Sequence, residues 1–430
     1  MLGAVSPTWA ASCPTCLSAG AASVAFVPPA GTPLAGYGNP ARRLLFPDVF
    51  GLYPFAFWFK PSEGTLDPLF ARALVLEQGT ERLAWVTVEL VAVDRSFTRE
   101  VGEELRAAGV RPVTLIISAS HTHSGPGAFV PSALWAFIAV DRFHDEVRSA
   151  LVRTVVRAIL LAESARAPAR VATFSRQAPD VTVGRLGLPV DREIIGLKFR
   201  TDRGRPIGLV WNYAIHGTML GPLNLRFSGD VMGVASHVLE RDLGVPVLFV
   251  NGAVGDVSPR RRGPTEVVAV GNELATTVRA GWEQAIETPA AAMTTRGARI
   301  LLPAPDLSLR NCLGRSLPES LTVPLGSVVQ REAELMAVSL GDTVWVTIPG
   351  ELQSALGEAI KAQARRSFAR GFVAGLSNDY LGYFVTAAAY PRTSYVTCST
   401  VYGPAAGDLL THSARTLIGE LAEVRSGTRR

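Results

Sequence analysis

RPVTLIISASHTHSGPGAF, residues 111–129, runs from an apolar stretch into two histidines one residue apart and then a Ser-Gly-Pro-Gly turn. The stretch TLIIS is short, apolar and bounded by polar residues, so it reads as a buried strand. In an extended strand residues two apart project to the same side, and His121 and His123 are therefore expected to look into one cavity. Outward from this segment, apolar strands alternate with amphipathic helices. RLAWVTVELVAV (82–93) reads as a second buried strand, and residues 145–166 read as a long helix with an apolar stripe. EIIGLKF and PIGLVWNYAI read as adjacent strands joined by the polar turn TDRGR. GVASHVLERDLG is helical, VPVLFVNGAVGD is a strand entering a Gly turn, and EVVAVGNELATTVRAGWEQAIE is again helical. After a Pro-containing stretch at 303–325, ELMAVSLGDTVWVTIPGE reads as a hairpin and LQSALGEAIKAQARRS as a helix. This pattern predicts an α/β fold of mixed β-sheets flanked by helices, a single large domain of the size of a catalytic unit that can divide into two lobes.

Composition narrows the classes. With 430 residues, 48% of them hydrophobic and 18% charged, the chain can bury a large core. The net charge of +5 is spread along the chain, with local clusters only at RRR (260–262) and the terminal RR, which argues against a nucleic-acid partner. No run approaches the roughly 18 apolar residues of a membrane span. Cys13, Cys16, Cys312 and Cys398 are too few and too scattered for a disulfide framework. Cys13-Pro-Thr-Cys16 has no second CxxC to make it a zinc or redox motif. Residues 1–24 are read as a poorly ordered N-terminal segment or weak export signal, small and uncharged but without a basic start, and 25–430 as the domain itself.

Four further strand ends finish in chemically capable residues: His216 in WNYAIHGTM, Asp256 and Ser258 in NGAVGDVSP, Glu351 in VTIPGE, and Tyr383 and Tyr395 in an irregular segment after SND. In α/β proteins sites gather where strands give way to loops. Two imidazoles and a carboxylate make a catalytic zinc set with a position left for water, and the pool here is His121, His123, His216 and Glu351. The residues alone do not choose among them. Asp230 and Asp256 read as turn or cap residues, Gly36 and Gly38 as backbone devices, and His144, His237 and His412 as packing or surface histidines in helices.

Taken together these fragments resemble the neutral ceramidase family, zinc amidases that cleave the N-acyl bond of ceramide. The resemblance is carried by AGYGNP (35–40), ISASHTHSGPGAF (117–129), NYAIHGTMLGP (212–222), SGD (228–230), NGAVGDVSP (251–259), IPGE (348–351), GLSNDYLGYFVT (375–386) and STVYGP (399–404). It implies one zinc ion per chain held by His121, His216, Glu351 and Tyr383. On the same analogy His123, Arg185 and Tyr395 meet the substrate amide or its oxyanion, and Ser258 meets the substrate head group. Residues 25–430 would then be a ceramidase-like zinc hydrolase domain, exported or membrane-facing, with a lipid substrate.

Other readings stand beside this one. They are a metal-dependent hydrolase of a different amide or ester, a non-catalytic lipid-binding relative, and a serine hydrolase using Ser258, although GDVSP is not a GxSxG elbow. Family enzymes carry a further C-terminal β-sandwich, and the resemblance here is to the catalytic region. The aromatic stretch FPDVFGLYPFAFWFKPSEG (46–64) stands where a short connection is expected, and reads as a lid, a peripheral membrane-surface contact or a packed loop.

Overall fold

The computed structural model describes residues 16–427 apart from 112, 288–291 and 327. The first half of the chain supplies β1 (Ser18–Phe26), β2 (Leu69–Gln78), β3 (Glu81–Val88), β4 (Thr114–Ala119), β5 (Ala167–Gln177), β6 (Thr182–Gly184), β7 (Glu193–Thr201), β8 (Pro206–Tyr213), β9 (Val247–Asn251), β10 (Val257–Pro259) and β11 (Ile286–Glu287). Its helices are α1 (Arg95–Ala107), α2 (Ala133–Trp135), α3 (Asp145–Ser164), α4 (Asp230–Leu243) and α5 (Pro264–Glu283). The second half adds β12 (Met293–Leu301), β13 (Asp306–Ser308), β14 (Thr322–Pro324), β15 (Glu332–Leu340), β16 (Thr343–Thr347), β17 (Glu351–Leu352), β18 (Arg370–Ala374) and β19 (Tyr383–Phe384). Its helices are α6 (Leu309–Leu313), α7 (Ser354–Ala364), α8 (Tyr395–Cys398) and α9 (Ala406–Gly427).

Two sheets stack face to face between helical layers. The larger has the order β4-β3-β2-β1-β5-β7-β8-β9, with β11 paired to β5, and the smaller has the order β12-β15-β16-β18. Alternation along the strands builds the layers. In β3, Ala84, Val86 and Val88 face a core shared with α1 and α3, whereas Leu83 and Trp85 face the second sheet. In β8, Leu209, Trp211 and Tyr213 pack beneath α4 and α5 while Val210 joins the layer between sheets. On the far side, Ala333, Leu335 and Ala337 of β15 meet α7 and α9. The middle layer is pinned by parallel aromatic rings: Trp85 and Trp345 stack at 4.9 Å, and Phe372 lies 5.8 Å from Trp345. The mixed α/β architecture expected from the sequence is the one observed.

The pairings β3 with β4, β8 with β9 and β16 with β18 are parallel, and the remaining pairs within the two large sheets are antiparallel. The carboxyl ends of β4, β8, β9 and β16 open toward one region, where loops are free to carry polar side chains.

Three expectations change. The boundary at residue 25 falls inside β1, which pairs with β2 from Ser18 to Phe26, so residues 18–24 belong to the sheet; residues 1–15 lie outside the described residues. The cysteines are not merely scattered: Cys312 and Cys398, 86 residues apart, form a disulfide that ties α6 to α8, and Cys16 is also disulfide-bonded. Spacing could not reveal this pairing, because the fold brings the two short helices together. Cys13, the other half of the CPTC motif, lies outside the described residues. His144 is the residue preceding α3 rather than part of it, its ring against Phe55, while His237 and His412 do lie in helices.

Because Trp345 is fully buried between two sheets that cannot both close on the space it leaves, Trp345→Ala is expected to lower stability by about 3–5 kcal/mol. Equilibrium denaturation in urea would measure it.

Candidate metal centre and active site

His121 and His123 do share one cavity, but not by the alternation of a strand. β4 ends at Ala119, and His121 lies beyond it with φ of 71°, a left-handed conformation uncommon for a residue with a side chain. The chain turns there, held by His121 N–H donating to Leu90 O and His123 N–H donating to Gly217 O. The two rings meet edge on, with centroids 4.9 Å apart. His216 follows the end of β8 and its ring lies 4.5 Å from that of His121.

Asn251, at the last position of β9, binds the two histidine-bearing segments together. Its side-chain amide donates to Ser120 O and Ile215 O, and its carbonyl oxygen accepts from Ile215 N–H. This residue was not singled out in the sequence. The available signal was a fully buried amide closing the apolar run VPVLFV.

Glu351 enters from the second sheet's side. Residues 351–352 pair in parallel with Tyr383 and Phe384, so Glu351 stands opposite Tyr383. Its Oε1 lies 3.3 Å from His121 Nε2 and its Oε2 lies 3.0 Å from His216 Nε2. Tyr380, a second residue that sequence reasoning passed over, donates its hydroxyl to Glu351 Oε1 at 2.8 Å.

The donor set has an unsatisfied position at its centre. His121 Nδ1 contacts the carbonyl of Val91 at 2.6 Å; a carbonyl only accepts, so Nδ1 carries the proton. In the neutral ring Nε2 is then a bare lone pair aimed at a carboxylate oxygen, and two acceptors face one another. His121 Nε2, both nitrogens of His216, both nitrogens of His123 and Glu351 Oε2 are buried without a hydrogen-bond partner. Burial pushes the His216 pKa down to about 3 and drives that of His123 well below its ordinary value, so both rings are neutral near pH 7. A cation between them would satisfy one nitrogen of each ring that faces it and the Glu351 oxygen, and imidazole with carboxylate is a donor set suited to zinc. One nitrogen from each of His121, His123 and His216 can be chosen so that all lie within 4.8 Å of one another. Geometry thus makes His123 a possible third nitrogen donor, although only His121 and His216 contact the Glu351 carboxylate.

The remaining candidates surround this cluster. Arg185 follows β6, which pairs with β10, and this pairing sets Arg185 beside Ser258. Its Nε donates to Ser258 Oγ at 2.7 Å and its Nη1 to the Tyr383 hydroxyl at 3.5 Å. Ser258 therefore bonds a guanidinium, and none of the three clustered imidazoles bonds it through an unpartnered nitrogen, which disfavours a serine nucleophile. Burial and the nearby Glu351 carboxylate push the Tyr383 phenol well above its ordinary pKa, so it stays protonated. Tyr395 opens α8 with its ring 5.7 Å from that of Tyr383, and it is 66% exposed at the rim.

Gly36 and Tyr37 are more than turn residues. Gly36 has φ of 101°, and a Cβ there would come within 2.6 Å of the His123 ring. The Tyr37 ring tilts against His123 at 4.8 Å, so the two residues set where that imidazole can point. Asp230 and Asp256 order loops behind the site: Asp230 accepts from the N–H groups of Met219 and Leu220 and from Val231, and Asp256 accepts from Ser354 N–H. Above the cluster opens a cavity of about 360 Å³ whose floor includes His121, His123, Glu351 and Tyr383 and whose walls include Val91, Val93, Val130, Trp135, Val140 and Val328.

Comparison with known proteins gives the chain's family and its fold. A family profile described as "Neutral/alkaline non-lysosomal ceramidase, N-terminal" matches residues 50–278, slightly more than half of the chain. That stretch contains His121, His123, Arg185, His216 and Ser258, and ends before Glu351, Tyr383 and Tyr395. The chain is 26% identical over 175 residues to neutral ceramidase B of Dictyostelium discoideum, covering 35% of this chain and 24% of that protein. It is 27% identical over 212 residues to neutral ceramidase of Pseudomonas aeruginosa, covering 44% and 32%. With neutral ceramidase of Mycobacterium tuberculosis it shares 26% identity over 234 residues, covering 47% and 37%. The matches thus span about a quarter to somewhat over a third of these curated relatives. The crystal structure of the Pseudomonas aeruginosa neutral ceramidase superposes with a TM-score of 0.81 at 19% identity, covering 95% of this chain and 75% of that one, which establishes a common fold. With the profile spanning both strand ends that carry the histidines, the chain belongs to the neutral/alkaline non-lysosomal ceramidase family.

Proposed function

We propose that the chain hydrolyses the N-acyl amide bond of ceramide or a related N-acyl lipid, with one zinc ion per chain at the centre described above. The observation that carries this reading is the bare Nε2 of His121 facing the Glu351 carboxylate, with His216 alongside, at the floor of an apolar cavity. His121, His216, Glu351 and Tyr383 are the residues that would hold the metal. Zinc bound there would polarise an acyl carbonyl and bring the pKa of water toward about 7.

The chain's own residues supply the rest. His123, neutral and without a partner on either nitrogen, can take a proton from water and return it to the departing amine. Arg185 is oriented by Ser258, so that its charge can oppose a developing oxyanion without reorganisation during the reaction. Tyr395 adds a phenolic donor from the rim, and Ser258 can meet the polar head of the substrate. The valine-lined walls suit an acyl chain, since burying each methylene is worth about 0.8 kcal/mol. The family match and the fold shared with a neutral ceramidase support the substrate class. An exported or membrane-facing location goes with this reading, because a structural disulfide such as Cys312–Cys398 persists in oxidising compartments.

The test is zinc content by elemental analysis together with fatty-acid release from a short-chain fluorescent ceramide. About one zinc and chelator-sensitive release are expected. Zinc without release would redirect the reading to another amide or ester, and no zinc after reconstitution would overturn it. His121→Ala is expected to lose both zinc and turnover, while His123→Ala keeps zinc and loses turnover; equal loss of zinc in both would make His123 a ligand. Arg185→Met is expected to keep zinc and lower kcat about 10²–10³-fold, read by steady-state kinetics.

A further inference from the structure

The aromatic segment around residues 43–60 forms a projecting hairpin-like loop built by polar bonds, with its apolar side chains turned outward. Leu44 N–H donates to Trp58 O and Asp48 N–H to Phe57 O, while the Asp141 carboxylate accepts from the N–H groups of Phe57, Trp58 and Phe59. At the tip, the Asp48 carboxylate accepts from Leu52 and Tyr53 N–H. Both acids therefore point inward onto the backbone. Outward stand Leu45, Phe46, Val49, Phe50 and Leu52, with exposures of 89%, 74%, 70%, 85% and 73%. Such a cluster in one short loop is unusual on a soluble surface and marks a contact site.

Two observations say what it contacts. First, the loop is continuous with the mouth of the cavity: the Trp58 ring meets Phe137 at 5.3 Å, Phe137 is exposed, and its neighbour Ile138 is both exposed and part of the cavity lining. Second, cations stand at the base of the apolar tip: Arg43 is half-buried and donates to Gly38 O and Phe137 O, whereas Arg142 is exposed. The Arg43 guanidinium lies over the rings of Phe59 and Phe137, and exposed Arg142 lies over Phe57. Aromatic and aliphatic side chains at the apex, with tryptophan and arginine behind them, match the depth profile of a bilayer, from acyl region to aromatic belt to anionic head groups.

We infer that this loop docks the protein on anionic lipid bilayers, inserting Phe46 and Phe50 so that the cavity mouth at Ile138 opens at the lipid surface. The inference deepens the reading of the cavity as a lipid site and rests on it. A ceramide-like substrate then passes from the acyl region into the valine-lined walls without crossing water.

Flotation of the full-length protein with vesicles, in the absence of any turnover, tests the docking separately from the chemistry. Wild type is expected to bind vesicles of phosphatidylcholine mixed with phosphatidylglycerol more strongly than phosphatidylcholine alone, and less strongly as salt is raised. Phe46→Ser with Phe50→Ser is expected to lower partitioning about tenfold for each phenylalanine removed, while hydrolysis of a water-soluble short-chain ceramide stays at the wild-type rate. Equal vesicle binding by wild type and the double variant would overturn the proposal, as would no binding by wild type. A wild-type dimer that the double variant converts to monomer, seen by sedimentation, would also overturn it and assign the tip to a second copy of the chain. Vesicle binding without hydrolysis of any ceramide would leave the docking standing and remove the catalytic reading.

Discussion

A buried carboxylate facing two imidazoles whose second nitrogens are bare is the constraint around which this structure is arranged. The His121 Nε2 lone pair and a Glu351 oxygen 3.3 Å away repel one another unless a cation or a proton lies between them. Much of the surrounding architecture holds these groups in place. Val91 O holds the tautomer of His121, Tyr380 holds one oxygen of Glu351, and Asn251 ties the segment before His121 to the segment before His216. These bonds lie among buried or largely buried groups, where a missing partner would cost about 1–3 kcal/mol. The cluster is consequently rigid before any ligand arrives, as a preorganised site requires.

Its position follows from how the layers stack. The carboxyl ends of β4, β8 and β9 meet where Asn251 bonds Ser120 and Ile215, and the stacked Trp85, Trp345 and Phe372 fix the two sheets against each other. Glu351 belongs to the half of the chain that builds the smaller sheet, whereas the histidines follow strands of the larger one. The site is therefore shared between the two sheet systems, and the packing between them sets the distance between carboxylate and imidazole. The Cys312–Cys398 bond extends this arrangement to the rim, because α8 carries both Cys398 and Tyr395. Above the floor, Val91, Val130, Trp135 and Val140 form one apolar stretch of the lining that reaches Ile138 beside Phe137 and the projecting loop, while Asp94, Arg95, Gln330 and Asp379 line the cavity as well.

Much of this was legible in the residues themselves. The alternation of apolar strands and striped helices specifies α/β layers, since each strand of a doubly covered sheet must be apolar on both faces and each helix on one. Polar residues at strand ends marked His121, His123, His216, Ser258 and Glu351 as neighbours in chemistry, and the fold brings them together. The reason proposed for the two histidines was nevertheless incomplete: a strand's alternation would put both on one side, but the strand stops at Ala119 and a left-handed turn at His121 does the aiming. That turn depends on bonds to Leu90 and Gly217, partners about 30 and 95 residues away in the chain, which no local pattern reports.

Sequence alone determined the class of fold, the identity of its long apolar strands and striped helices and the kinds of side chain available for chemistry, because these depend on short-range periodicity and residue type. Tertiary structure alone decided that Asn251 staples two strand ends, that Tyr380 rather than solvent satisfies Glu351, that Gly36 and Tyr37 confine His123, that two cysteines 86 residues apart are joined, and that the phenylalanines of residues 46–50 face outward. The physical reason is the same in each case. Such roles are set by distances of a few ångströms between residues far apart in the chain, and those distances exist only once the two sheets have packed.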